Sequence, residues 1–430
     1  MSDLEKIVED IWELARSGEN WFERPAFIRL RDYCVATYPN AGSEMLLSFA
    51  MSNMLRSLCI PVGLQSARTA LAMSPDKAAA RIDAAFTSTH ARRTHMCPLD
   101  WADELPEIAF GPATLRRFSA GDLMELFDAP RLERVFPNKN VKWERLAAFQ
   151  WLVVVEDVPL VKEPGERAMP IFYQPLAQDL GAFRPHEGRH PALVEDALFF
   201  LLLAPWEDWC EALEVDWRGF RLPWIYTVDD DLFVKMQAPP QHETLSWEPD
   251  FYESADGEVI EEEKPASYML AGEAADLATE ANQHRWEGWL KVKDGVLFEP
   301  PVAHFLVRGF LSAGIDEFLA HFMVIEAALG LETDYGPKQK GQPHSNLSVT
   351  RRVVRRIANL LDDCAAGTEY RRLFELRSAY VHGRSMLEIS SDDLGKARGL
   401  ARRVAARLVQ VACGGGLPET RDEYLMSLLD

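Results

Sequence analysis

The sequence predicts an α+β multidomain protein: a helical N-terminal part over residues 1–99, a mixed, strand-containing middle over 100–295 and an all-α bundle over 296–430. Three observations carry this. Apolar residues recur at helical spacing towards both ends of the chain, short β-rich runs punctuated by Pro, Gly and acidic clusters fill the middle, and 430 residues exceed what one core ordinarily organises.

In the N-terminal part, Leu4, Ile7, Val8 and Ile11 mark an amphipathic first helix. A second apolar tract begins at Met45-Leu46-Leu47, and an Ala-rich stretch from Pro75 to Thr89 has Ser74 or Asp76 as its N-cap. The texture changes after Pro98. Phe149–Val155, Ala197–Leu203 and Trp224–Val228 read as strands, and tryptophans at 151, 206, 209, 217, 224 and 247 supply an aromatic core. Two metal-site patterns in this region are decoys. His186-Glu187-Gly188-Arg189-His190 matches the zinc-peptidase H-E-x-x-H, but Pro185, Gly188 and Pro191 oppose the helix that would place both histidines on one face. Asp250 with Glu262, Glu263 and Lys264 imitates a Mg²⁺ nuclease layout, yet lies in an acidic stretch whose Asp256-Gly257 signals a hairpin turn.

Residues around Trp286 and Trp289 form the expected hinge to the C-terminal bundle. Its first helix is Val302–Leu311, broken by Gly314; a second follows from Asp316 to Leu329 and carries Glu326 on an apolar run. Such a carboxylate needs a partner, and Arg377 is the natural one. Ser348 or Thr350 caps an arginine-rich helix with Arg351, Arg352, Arg355 and Arg356. The closing helix runs from about Ser391 to Val411, with Asp392 and Asp393 at its start and Gly414-Gly415-Gly416 at its end.

Composition narrows the function classes. A formal net charge of −21 argues against a general nucleic-acid coat, but the charge is uneven: residues 301–430 hold 17 Lys and Arg against 16 Asp and Glu, and the remainder 29 against 51. Within 351–410 there are 13 basic and 7 acidic residues, a locally basic module on an acidic body. The longest apolar runs fall short of a membrane span, the first residues are acidic rather than signal-like, and six scattered cysteines without a C-x-x-C read as reduced, mostly buried thiols of a cytoplasmic protein.

The chemistry concentrates in Leu373-Phe374-Glu375-Leu376-Arg377-Ser378-Ala379-Tyr380-Val381-His382-Gly383. Leu373, Leu376, Tyr380 and Val381 share a helical spacing and are expected to face a core. Arg377 and His382, five apart, stand about 140° from superposition on an ideal helix, and approach one rim if the helix ends at Gly383, a natural C′ residue. A permanently charged guanidinium beside an imidazole is a workable kit for phosphodiester cleavage without a metal or other cofactor.

This R-x4-H spacing, preceded by Leu-x-x-Leu and followed by Gly, resembles the motif of HEPN domains, in particular the ApeA-like branch, over about the last 130 residues. The resemblance implies a HEPN-like helical bundle that forms a homodimer and cuts RNA, with Arg377 and His382 catalytic, Ser378 and Glu326 positioning them, and Arg351, Arg352, Arg355, Arg356 and Arg384 contacting RNA. It also implies antiviral (phage) defence or a stress response. Ser378 departs from the Asn, Asp or His that active members often carry after the Arg. A non-enzymatic dimerisation or nucleic-acid-binding module is the alternative.

Overall fold

The computed structural model describes residues 2–430 except 15–20, 59–72, 174–181, 183–187, 189, 210–217, 254–255, 257–258, 336–343, 345 and 384–387. It is a mixed helix and strand architecture with a helical C-terminal region.

Four helices come first: α1 (Asp3–Leu14), α2 (Pro25–Thr37), α3 (Glu44–Ser57) and α4 (Pro75–Thr87). They enclose their own core around Val8, Leu30, Leu47, Met51 and Ile82, into which Leu232 and Phe233 reach from the middle of the chain. Strand β1 (His90–Leu99) follows directly. It falls within the stretch expected to be helical, and it lies inside a five-stranded antiparallel sheet of order β2-β3-β4-β1-β5, with β2 Ile108–Phe110, β3 Ala113–Arg117, β4 Gln150–Pro159 and β5 Tyr226–Asp229. The physical reason is tertiary. The polar Thr94 and His95 sit buried in the sheet, with His95 hydrogen-bonded through Nδ1 to Thr227 (2.8 Å) and through Nε2 to Glu156 (3.2 Å), partners supplied by distant strands.

Alternation along β4 divides the interior. Trp151 and Val153 face one core with Met96, Phe127 and Tyr226; Leu152 and Val154 face another with Cys97 and Leu115. Short helices α5 (Ala120–Leu126), α6 (Ala129–Val135) and α7 (Trp143–Ala147) lie between β3 and β4, and α8 (Pro164–Ala168) follows. The strand expected at Ala197–Leu203 is instead helix α9 (Ala192–Leu201). Its run Ala197–Leu201 is buried on all sides, the case in which hydrophobic periodicity cannot separate strand from helix. The hairpin β6 (Trp247–Glu253) and β7 (Val259–Pro265) pairs Asp250 with Glu262, but both strands are mostly exposed, and Lys264 answers Asp250 at 3.4 Å.

After α10 (Ala274–Ala278), the expected hinge is the packed helix α11 (Gln283–Val292), with Trp286 and Trp289 buried. The bundle comprises α12 (Val302–Leu311), α13 (Gly314–Leu329), α14 (Glu332–Tyr335), α15 (Val349–Leu361), α16 (Cys364–Val381), α17 (Ser391–Gly414) and α18 (Arg421–Ser427). One apolar interior runs without a break from Leu115 and Leu152 through Phe199 and Trp286 to Phe322, Leu373 and Leu400, crossing residue 295. Charges reinforce this join: buried Glu317 on α13 accepts from Arg218 (2.9 Å) and from Arg398 of α17 (2.9 Å), and Arg402 donates to Glu207 and to Asp208 (3.1 Å). Of the four described cysteines, Cys34 and Cys97 are buried and Cys364 and Cys413 exposed; all are free thiols. Among the described residues no helix is long and apolar enough to cross a membrane.

Candidate functional site

The site forms where the end of α16 meets the end of α13. Tyr370 and Leu373 anchor α16 in the core, Tyr370 against Phe322 of α13. One turn later Arg377 emerges half-buried, and its Nη2 lies 4.0 Å from Oε2 of Glu326, itself half-buried. The expected pair is present. Burial pushes the Glu326 carboxyl up, with the Arg377 charge opposing. The guanidinium carbon stands 5.8 Å from the centre of the Phe374 ring, and Nε is buried without an acceptor among the described residues. Arg377 is therefore held by one long ion pair and an aromatic face, with hydrogen-bonding capacity to spare.

Helix α16 ends where the glycine predicts. His382 is the C-cap, its N–H bonded to the Ser378 carbonyl at 3.1 Å, and Gly383 follows at φ +64°, donating to the Tyr380 carbonyl at 3.3 Å. The cap leaves the His382 side chain exposed. Among the described residues no hydrogen bond joins it to Arg377, to Glu326 or to the hydroxyl of half-buried Ser378. Two apolar residues behave unlike their spacing: Tyr380 is 36% and Val381 47% exposed. Only Leu373 of that set is fully buried; Leu376 is half-buried.

The arginines of α15 separate into two kinds. Arg352 and Arg356 are buried, 8% and 0% exposed. Arg352 donates to Asp334 Oδ1 at 2.9 Å; Arg356 donates to both Asp334 oxygens and to the carbonyls of Leu329 (2.9 Å) and Leu425 (3.0 Å). Neither is available to RNA, which corrects the expectation for these two. Burial raises the Asp334 carboxyl, but hydrogen bonds from Arg356 and Arg352 outweigh it and hold the group below the usual carboxylate range. Arg351 and Arg355 are surface residues, Arg355 reaching the Asp430 carbonyl at 3.2 Å. Arg384 lies outside the described residues, as do His186, Glu187 and Arg189. Among the described residues no group of three or more His, Cys, Asp or Glu side chains could hold a metal ion.

Two neighbours had not been singled out from the sequence. Phe374, under the guanidinium, is three residues before Arg377, a helical spacing that could have revealed it. Exposed Tyr335 feels the same charges: its phenol is pushed up by burial and by Glu326 and Asp334, with Arg377 opposing. No local signal links it to α16. Comparisons of the chain with protein-family models, curated proteins and solved structures found no match.

Proposed function

We propose that this protein is a metal-independent endoribonuclease of HEPN type, a hydrolase acting on RNA as a homodimer in the cytoplasm, in antiviral or stress defence. The observation that carries the reading is Arg377, half-buried and 4.0 Å from Glu326, five residues before an exposed His382 on the terminal cap of α16. In the proposed reaction the ribose 2′-OH attacks the adjacent phosphorus and loses its proton to a histidine. Arg377 stabilises the extra negative charge of the phosphorane, the P–O5′ bond breaks, and the leaving oxygen takes a proton. The products are a 2′,3′-cyclic phosphate and a 5′-OH, and DNA is inert for want of the nucleophile. One imidazole serves as base or as acid, so His382 of the partner subunit supplies the second role. Arg351 and Arg355 are left to track the RNA backbone.

One observation favours the rival reading, a non-enzymatic dimerisation module: among the described residues no hydrogen bond joins His382 to Arg377, while Tyr380 and Val381 offer an apolar surface beside it. The test compares wild type, His382→Ala and Arg377→Ala on mixed RNA in EDTA, with end-group analysis. Chelator-resistant cutting to cyclic phosphates, lost by about 10²-fold or more in either variant, is the expected result. Silence from all three with dimerisation intact gives the rival the field, and cutting that EDTA abolishes refutes the mechanism.

A further inference from the structure

The hairpin of β6 and β7 forms a sheet of its own, and among the described residues its strands pair only with each other. It carries six carboxylates, Glu248, Asp250 and Glu253 on β6 and Glu261, Glu262 and Glu263 on β7, against Lys264 alone. Side chains alternate along a strand and cross-strand partners share a face, so the register divides these groups between two sides. One side is closed. Lys264 lies 3.6 Å from Glu248 and 3.4 Å from Asp250, and the Tyr252 hydroxyl donates to Glu262 at 2.9 Å.

The other side is half filled, and an arginine fills it. Arg145, from α7, lies with its guanidinium carbon 3.6 Å from the centre of the Trp247 ring and donates to Glu263 at 2.7 Å. Further towards the turn, the same face repeats these ingredients without the guanidinium. Phe251 is paired with Glu261 and Glu253 with Val259, so an aromatic ring and an aliphatic side chain alternate with two carboxylates. Phe251 is 61% and Val259 72% exposed, and neither carboxylate makes a hydrogen bond or ion pair among the described residues. Exposed apolar groups set among acids mark an interaction surface, and the sign of the field turns away a phosphate-bearing partner. A guanidinium answers both halves. Its flat face stacks on an aromatic ring while its N–H groups fork to carboxylates, a combination that a lysine ammonium lacks.

We propose that the outer half of this hairpin face docks an arginine-bearing segment of a partner protein. A partner guanidinium stacks on Phe251 and donates to Glu261 and Glu253, as Arg145 stacks on Trp247 and donates to Glu263, and its aliphatic stem lies on Val259. The inference is independent of the ribonuclease reading.

Fluorescence anisotropy with the full chain tests it. The labelled probes are a peptide of arginines spaced by glycines, its lysine counterpart, and its citrulline counterpart (the shape without the charge). Expected is saturable binding of the arginine peptide, at least about threefold tighter than the lysine peptide and about tenfold tighter than the citrulline one. A Phe251→Ser, Glu261→Gln double variant should weaken it about tenfold, whereas Glu262→Gln, on the closed side, should leave it within about twofold. These substitutions fall on exposed positions, so the fold is retained. No saturable binding of the arginine peptide, equal affinity for the lysine or citrulline peptide, or equal loss in both variants overturns the proposal.

Discussion

Replacing Arg356 by alanine should cost far more than replacing Arg355, one residue earlier on the same helix. Arg356 is fully buried and supplies four hydrogen bonds to oxygen, two to Asp334 and one each to the carbonyls of Leu329 and Leu425, and a fifth to the Met426 sulfur. Its loss leaves Asp334, also buried, with Arg352 and the Leu331 N–H, and strands two carbonyls. Breaking a buried pair from one side costs about 3–5 kcal/mol. Arg355 is exposed with a single bond to the Asp430 carbonyl, and its removal should stay within about 0.5 kcal/mol. Urea unfolding of both variants, followed by circular dichroism, measures the difference. The gap also depends on pH. Because the folded-state pKa of Asp334 lies below its unfolded value, the stability it contributes is present above the unfolded value and is lost as pH falls through the folded one. The Arg356→Ala deficit should therefore shrink in acid. A difference under about 1 kcal/mol between the two variants at neutral pH would refute the assignment of Arg356 to the interior.

Two further outcomes follow from the end of α16. Glu326 has its folded-state pKa raised by burial, so its contribution favours the fold when protonated and declines as pH climbs from the unfolded value through the folded one. Glu326→Gln should flatten that slope in thermal melting at pH values above the unfolded carboxylate's own, and an unchanged slope would place the group in solvent. Tyr380→Asp with Val381→Asp should leave the monomer fold intact, since both side chains are exposed, and abolish the proposed homodimer in sedimentation analysis. Persistence of the dimer would move the interface elsewhere.

Much of the C-terminal bundle is legible because its boundaries are written in local chemistry. Ser348 accepts from the Arg351 N–H, Ser390 and Asp393 close a capping box, Gly314 takes φ +59° where one helix gives way to the next, and Gly383 takes φ +64° where α16 stops. Strand β1 has no such writing. Its buried Thr94 and His95 look solvent-facing until Thr227 and Glu156 are brought alongside, and Pro98 further blurs the pattern. The pair Glu326 and Arg377 was legible as one unpaired charge seeking another; the exposure of Tyr380 and Val381 was not, because spacing defines a face without saying what covers it.

The four arginines of α15 show how far periodicity alone can go. At about 100° per residue, Arg352 and Arg356 project to the same side as Val353, Ile357 and Leu360, all buried, whereas Arg351 and Arg355 project to the opposite side. A shared charge suggests one RNA-facing row, but the angular positions make two rows with different fates. What the angles cannot supply is the reason a guanidinium tolerates the inner row. That reason is Asp334, on a separate short helix, together with two carbonyls left open at the end of α13 and within α18. The basic excess of this region therefore overstates its capacity for phosphate: the inner pair is already spent on holding α13, α14, α15 and α18 together, and any RNA contact from this helix must come from Arg351 and Arg355.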